Sequence, residues 1–343
     1  MIQVNATAAR PTNPIACTVP FDEDGKHHGF LRLPYSRNDS AWGSVMIPIT
    51  VIRNGEGSTA LLTGACHGDE YEGPVALQAL TSELEPKDIE GRVIIVPFMN
   101  MPAFRSATRV SPLDGANLNR IFPGRPDGSP SEKIADYFDT VLAPMADYVL
   151  DFHSGGKTLD FVPFAAAHRL EAKLQEASCI AAMQAFNAPY SLVLLEIDNV
   201  GMFDTAVENH GKVFVSTELG GGGTATARSV GIARKGVRNF LIHAGILKAE
   251  PVVEPTESLD MPDAECFVFS EDDGLIEPIV DLGEEVEEGA PIARVWPVGR
   301  SGVPAATYHA RRSGILVGRH FPGLVKSGDC LAVVAEKVDP RPQ

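Results

Sequence analysis

Apolar and polar positions alternate along the first two thirds of the chain in a pattern typical of an α/β protein. Short apolar runs rich in β-branched residues predict buried strands at 44–52, 59–64, 92–99, 147–153 and 212–219. Longer stretches, with apolar residues three and four positions apart, predict helices at 73–86, 131–146, 170–187 and 227–247. Strands that alternate with helices predict a largely parallel sheet flanked by helices.

The pattern changes near residue 250. A proline- and acid-rich segment, 248–262, is followed by short glycine-punctuated strands without helical periodicity. Two similar halves, 274–295 and 309–336, resemble the biotinyl/lipoyl type of small β-barrel. We therefore predict an α/β catalytic domain over 1–250 and a smaller, all-β, barrel-like domain over 251–343.

A barrel of this type can act as a carrier domain, or as a lid or scaffold. A carrier needs an exposed lysine on the hairpin between the two halves. That hairpin, residues 296–308, contains no lysine. The sequence therefore favours a lid or scaffold.

Composition and charge narrow the class of protein. The chain has 343 residues and no apolar run near the roughly 20 residues that a membrane span requires. Its start lacks the features of a secretory signal, so we expect a cytoplasmic protein. Five scattered cysteines without a C-x-x-C pair predict reduced thiols. The net charge of −16 disfavours nucleic acid and anionic membranes as partners.

Histidines and acids follow several of the predicted strands. His67 and Glu70 come directly after strand 59–64, His153 ends strand 147–153, and Glu218 lies near the end of strand 212–219. Ligands gather at the carboxyl ends of strands in open α/β sheets, so these four side chains are expected to form one site. Two histidines and one carboxylate are a usual catalytic zinc set. Glu218 then fits a general base that does not bind the metal.

A long loop, residues 100–124, supplies candidate binding groups. It contains Arg109, Asn119 and Arg120 among many turn-forming residues. An arginine can hold a carboxylate through two hydrogen bonds, or stabilise an oxygen that becomes anionic in a transition state. The loop is therefore expected to bind substrate beside the metal.

The ordered motifs H-G-D-E (67–70), N-L-N-R-I-F-P-G (117–124), D-F-H-S-G (151–155) and T-E-L-G-G-G (217–222) resemble the succinylglutamate desuccinylase/aspartoacylase family. The resemblance covers about residues 45–335. It implies a zinc-carboxypeptidase-like fold, one Zn²⁺ per chain and hydrolysis of an amide bond. The matching positions are the metal ligands His67, Glu70 and His153, the catalytic base Glu218, the oxyanion-stabilising Arg109, the substrate-carboxylate pair Asn119 and Arg120, and the substrate-contacting Tyr308.

Three further stretches, 28–43, 68–77 and 160–170, are similar to family members that act in ectoine breakdown. This similarity implies deacetylation of the small molecule N-α-acetyl-L-2,4-diaminobutyrate, and it allows a homo-oligomer. Aspartoacylase or N-succinylglutamate desuccinylase activity, on a dicarboxylic N-acyl amino acid, is the first alternative. A zinc carboxypeptidase is disfavoured because a C-terminal domain over the site should exclude long peptides. A noncatalytic metal-binding or carrier protein is the remaining alternative.

Overall fold

A computed structural model describes residues 11–339. The strands, numbered in chain order, are β1 Ala16–Cys17, β2 Gly25–Pro34, β3 Ser44–Asn54, β4 Thr59–Gly64, β5 Gly91–Val96, β6 Tyr148–His153, β7 Leu159–Phe161, β8 Phe164–His168, β9 Tyr190–Leu194, β10 Val213–Glu218, β11 Glu257–Asp260, β12 Phe267–Phe269, β13 Gly274–Pro278, β14 Glu285–Val286, β15 Pro291–Trp296, β16 Ala306–His309, β17 Gly314–His320, β18 Leu324–Val325 and β19 Cys330–Lys337. The helices are α1 Glu72–Glu83, α2 Met101–Ser106, α3 Pro130–Tyr137, α4 Ala143–Met145, α5 Lys173–Phe186, α6 Phe203–Asn209 and α7 Ala227–His243.

The strands form one large mixed sheet and one small sheet. The order along the large sheet is β1-β2-β3-β5-β4-β6-β10-β8-β9-β11-β19-β17-β14. Strands β5, β4, β6 and β10 run parallel to one another, as do β8, β9 and β11. The β10–β8 junction and both flanks are antiparallel. The predicted α/β class is confirmed, with parallel pairing confined to the middle of the sheet.

Helices cover both faces of the large sheet. Alternate residues of a strand point to opposite faces, so Leu62 and Leu150 pack under α1, α5 and α7. Their neighbours Leu61 and Val149 pack on the other side, in a core that also holds residues of α3 and α6. The middle strands are therefore buried on both faces, which explains their continuous apolar runs.

The helix predicted at 131–146 starts one residue earlier and changes its winding. Ser129 accepts a hydrogen bond from the backbone N–H of Glu132, and Pro130 occupies the first helical position. Proline is suited to that position because the backbone N–H there has no partner within the helix. After Tyr137 the chain makes a π-helical turn, Phe138–Leu142, before α4. The predicted element is present, but in three segments.

The strands after residue 250 do not close a barrel within the described residues. β12, β14, β17 and β19 extend the large sheet through β11, whereas β13, β15, β16 and β18 form a separate four-stranded sheet. Val268, Val295 and Leu316 pack in the core shared by the two groups of strands. The predicted barrel is not confirmed, because one group of strands pairs with the α/β part instead. Within residues 11–339, no helix is both long enough and apolar enough to span a membrane.

Candidate active site

Three predicted metal ligands come together at the carboxyl ends of the parallel strands β4 and β6. Nδ1 of His67 lies 2.7 Å from Oε1 of Glu70, and Nδ1 of His153 lies 3.0 Å from Oε2 of the same carboxylate. One ligand atom from each residue lies within 4.8 Å of the others. His67 and Glu70 are buried, and the side chain of His153 is nearly so. The geometry therefore gathers the donor set that a single metal ion requires.

The second ring nitrogen of each histidine, Nε2, also lies within hydrogen-bond distance of an oxygen atom. Nε2 of His67 lies 3.1 Å from Oδ1 of Asn117, and Nε2 of His153 lies 2.8 Å from Oδ2 of Asp151. Metal-binding histidines usually have such a partner on the second nitrogen, which fixes the ring and its tautomer. The pair of fixed rings fits a metal ion. Asp151 and Asn117 were not predicted, although Asp151 lies two residues before His153 and thus on the same face of β6.

The loop that carries His67 and Glu70 is fixed by close backbone packing. The N–H of Gly68 donates to the carbonyl of Thr108 over 3.0 Å. A Cβ atom at Gly68 would lie 2.0 Å from the carbonyl carbon of Ala103, so only glycine fits. This packing joins the metal-ligand loop to the segment that carries Arg109.

Charges within the cluster keep Glu70 ionised. Burial alone would raise the pKa of Glu70, but the charges and hydrogen bonds of His67 and His153 lower it below its ordinary value. Burial lowers the pKa of His67. Burial also acts to lower the pKa of His153, but the charges of Asp151 and Glu70 raise it well above its ordinary value. A metal ion binds the carboxylate and neutral imidazoles, so it would displace a proton from His153.

Glu218 and Arg109 lie beside this cluster. Glu218 is directly opposite His153 in the parallel β10–β6 pair. Its Oε2 is buried and accepts no hydrogen bond from the described residues. Burial, and then the charge of Glu70, raise the pKa of Glu218 well above its ordinary value. Nη1 of Arg109 lies 3.7 Å from Oε1 of Glu70, with about two fifths of the arginine side chain exposed.

Asn119 and Arg120 lie on a single 3₁₀ turn, Leu118–Arg120, that faces the same cavity. Oδ1 of Asn119 accepts a hydrogen bond from the N–H of Phe203, 2.8 Å away. Nη1 of Arg120 donates to the carbonyl of Asn119 over 2.6 Å. The structure thus brings seven of the eight predicted site residues to one cavity of about 230 Å³.

Tyr308, the eighth predicted residue, does not line this cavity. It lies on β16 of the small sheet. Its hydroxyl donates to Oδ2 of Asp272 over 2.6 Å and accepts from the N–H of Glu271 over 2.8 Å. The substrate contact assigned to Tyr308 stays a prediction, and this arrangement does not support it.

Several cavity residues were missed by the sequence analysis. Strands after residue 250 contribute an apolar wall that includes Phe267, Val317 and Val333. Glu196 and Asp204 add two carboxylates from the segment that follows β9. No short motif marks these residues, since they reach the cavity only through sheet pairing.

Cys66 also lies near two donors of the site. A group formed by Cys66, Asp151 and His153 has one donor atom each within 4.8 Å. Burial raises the pKa of the Cys66 thiol well above its ordinary value, and the thiolate is the form that binds metals. The His67–Glu70–His153 group is therefore the better metal site.

Comparison with known proteins gives the same family as the motifs. Residues 56–244 match the family described as the succinylglutamate desuccinylase/aspartoacylase catalytic domain. The N-alpha-acetyl-L-2,4-diaminobutyric acid deacetylase of Halomonas elongata is 56% identical over 332 residues, which cover 96% of this chain and 97% of that protein.

Solved structures are similar over nearly the whole chain. The product-bound ectoine utilization protein EutE (DoeB) of Ruegeria pomeroyi has a TM-score of 0.94 at 64% identity, covering 95% of this chain and 100% of that one. A succinylglutamate desuccinylase of a Silicibacter species has a TM-score of 0.92 at 65% identity, covering 96% and 100%. The chain belongs to the succinylglutamate desuccinylase/aspartoacylase family.

Proposed function

We propose that this protein is a zinc-dependent deacylase that hydrolyses N-α-acetyl-L-2,4-diaminobutyrate to L-2,4-diaminobutyrate and acetate. The observation that carries the proposal is that His67, Glu70 and His153 share one small cavity with Glu218 and Arg120. The name of the Halomonas elongata relative supports the choice of substrate.

Zinc is the metal that best suits the donor set. The two imidazoles converge on one carboxylate, and both rings are fixed through their second nitrogens. Imidazole-rich sites of this kind favour zinc, and two histidines with one glutamate are a known catalytic set. When bound, zinc would polarise the substrate carbonyl and lower the pKa of a water molecule.

Four side chains around the predicted metal ligands would bind the substrate, stabilise the oxyanion and transfer the proton. Arg120 and Asn119 would bind the substrate α-carboxylate. Arg109 would donate to the carbonyl oxygen as that oxygen becomes negative. Glu218 would take a proton from water and deliver it to the leaving amine, since its Oε2 has no other partner among the described residues.

Residues 1–250 would form the catalytic domain, and residues 251–343 a second unit that closes the cavity. Phe267, Val317 and Val333 line the cavity from the C-terminal side. A wall at this position leaves room for a small N-acyl amino acid and disfavours the extended peptide of a carboxypeptidase. We expect this second unit to act as a lid or scaffold, because the 296–308 hairpin has no lysine.

Substrate preference tests the proposal. With the zinc-loaded enzyme, we expect kcat/KM for N-α-acetyl-L-2,4-diaminobutyrate to exceed that for N-acetylaspartate by at least about tenfold, equivalent to roughly 1.4 kcal/mol. The same margin is expected over N-succinylglutamate. Release of free amine, followed with ninhydrin, gives the rates. A better rate on either dicarboxylate would move the activity to that alternative.

A further inference from the structure

A second cluster of histidine and carboxylates adjoins the same cavity. His168, Glu196 and Asp204 each offer one polar atom within 4.8 Å of the others. Glu196 and Asp204 line the cavity together with Arg120 and His153. None of the roles proposed above uses these two carboxylates, although they face the space that a substrate would fill.

The topology explains how the cluster assembles. His168 ends β8 and Glu196 follows β9, and these two strands run parallel, so their carboxyl ends meet at one edge. Because β8 is antiparallel to β10, this edge lies opposite the carboxyl end of β10. Asp204 lies in the first turn of α6. One turn further along α6, Oε1 of Glu208 lies 2.9 Å from Nδ1 of His168.

Within residues 11–339, the cluster has polar atoms without hydrogen-bond partners. Glu196 is half-buried and accepts no hydrogen bond there. Asp204 is only 6% exposed, and its hydrogen bonds come from Thr205 and use Oδ1 alone. Nε2 of His168 is buried and has no hydrogen-bond partner. Buried polar atoms without partners are costly, so a ligand that donates hydrogen bonds would stabilise this cluster.

The balance of charge points to a cation. Three carboxylates, from Glu196, Asp204 and Glu208, surround the single imidazole of His168. Burial lowers the pKa of His168, but the hydrogen bond and charge of Glu208, together with the charges of Asp204 and Glu196, raise it to about 9. The carboxylates therefore favour a positive charge at this cluster. Arg120 also lines the cavity, and the proposed function assigns it to the substrate α-carboxylate.

The cluster is held at a fixed distance from that carboxylate site. The N–H of Phe203 donates to Oδ1 of Asn119, and the N–H of Phe122 donates to the carbonyl of Gly201 over 2.9 Å. Gly201 has φ +76°, and a Cβ atom there would lie 2.4 Å from the carbonyl oxygen of Arg120. The segment bearing Glu196 and Asp204 is thus packed directly on the Asn119–Arg120 turn.

We propose that Glu196 and Asp204 bind the side-chain ammonium of the substrate and so select a diamino acid. This inference rests on the proposed function. An ammonium group has three N–H donors, and the two acids supply carboxylate oxygens that receive no hydrogen bond from the described residues, Oδ2 of Asp204 among them. A side-chain carboxylate at this position would meet the like charges of Glu196 and Asp204.

Two substrates that differ in this group alone test the proposal. N-acetyl-L-norvaline replaces the side-chain ammonium of the acetylated diaminobutyrate with a methyl group of similar size. The measured quantity is the specificity ratio, the kcat/KM for the diamino compound divided by that for the norvaline compound. We expect Asp204→Asn and Glu196→Gln each to lower this ratio at least about thirtyfold, since each leaves a buried charged donor poorly paired. The ratio of the two product affinities, that for L-2,4-diaminobutyrate divided by that for L-norvaline, should also fall in these variants. Calorimetry measures both affinities.

Glu171→Gln is the matched control, because Glu171 is an exposed acid near the same strand end that does not line the cavity. Its specificity ratio should equal that of the unaltered enzyme. Turnover of norvaline substrate shows that a variant is folded, and if one variant fails to fold, the other decides. An unchanged ratio in a folded variant overturns the inference while leaving the deacylase function intact, as does a second metal ion per chain that Asp204→Asn removes. If the unaltered enzyme hydrolyses neither substrate, the proposed function itself fails.

Discussion

Two clusters built from histidine and carboxylate contribute side chains to one cavity, and they differ in how the imidazoles are held. In the first, His67 and His153 share the carboxylate of Glu70, and both Nε2 atoms have partners. In the second, His168 is surrounded by carboxylates, and its Nε2 has no partner among the described residues. Residue types alone would assign a metal to both. The balance of charge distinguishes the proposed metal site from the proposed ammonium site.

The elements that carry the two clusters also differ. The first sits at the ends of adjacent parallel strands, β4, β6 and β10, in the middle of the sheet. The second combines the end of β8 with the segment after β9 and the start of α6. A site on central strands keeps its ligand geometry, as metal chemistry requires, whereas loops and helix ends can differ between relatives that act on different side chains.

Metal content should separate the clusters most strongly. We expect about one zinc ion per chain, and its near-complete loss in His67→Ala or His153→Ala, because a catalytic zinc needs three protein ligands. His168→Gln is the matched change in the second cluster and should keep the metal. Elemental analysis of the purified proteins measures this. Equal loss from all three variants would remove the distinction between the clusters.

The effect of substitution on kcat and on zinc content should distinguish Glu218 from the predicted metal ligands. Glu218→Gln is expected to keep zinc and fold but to lose on the order of 10²–10⁴ in kcat, the usual contribution of general acid–base catalysis. Steady-state kinetics and elemental analysis on the same sample give both numbers. Near-normal turnover, or loss of the metal, would contradict the role proposed for Glu218.

The smallest effect is the pH dependence of stability at the second cluster. The pKa of His168 rises from 6.5 to about 9 on folding, so its stabilising contribution is complete below about pH 6.5 and is lost as the pH rises through 9. The expected loss is about 3 kcal/mol in the free energy of unfolding, at about 1.36 kcal/mol per pKa unit. Denaturant unfolding between about pH 6 and pH 10 should show this loss in the unaltered protein and not in His168→Gln. Parallel curves for the two proteins would show that His168 is not protonated in the fold.

Much of the α/β part could be predicted from the sequence. The five predicted strands and four predicted helices are all present, because buried middle strands and amphipathic helices each leave a local pattern. Less of the C-terminal part could be predicted from the sequence. Its strands are short, and a short strand does not encode which sheet it joins, so a barrel was predicted where the strands divide between two sheets.

The sequence by itself determined the family and brought the residues of the proposed metal site to notice, since His67, Glu70, His153 and Glu218 follow strands whose ends meet. The tertiary structure alone decided what surrounds them. Glu196 and Asp204 carry no motif, and they reach the cavity because β8 pairs with both β9 and β10. Tyr308 matched a short motif, yet its strand pairs within the small sheet and points its hydroxyl to Asp272. Local pattern records burial and periodicity, whereas pairing between distant strands depends on the packing of the whole sheet.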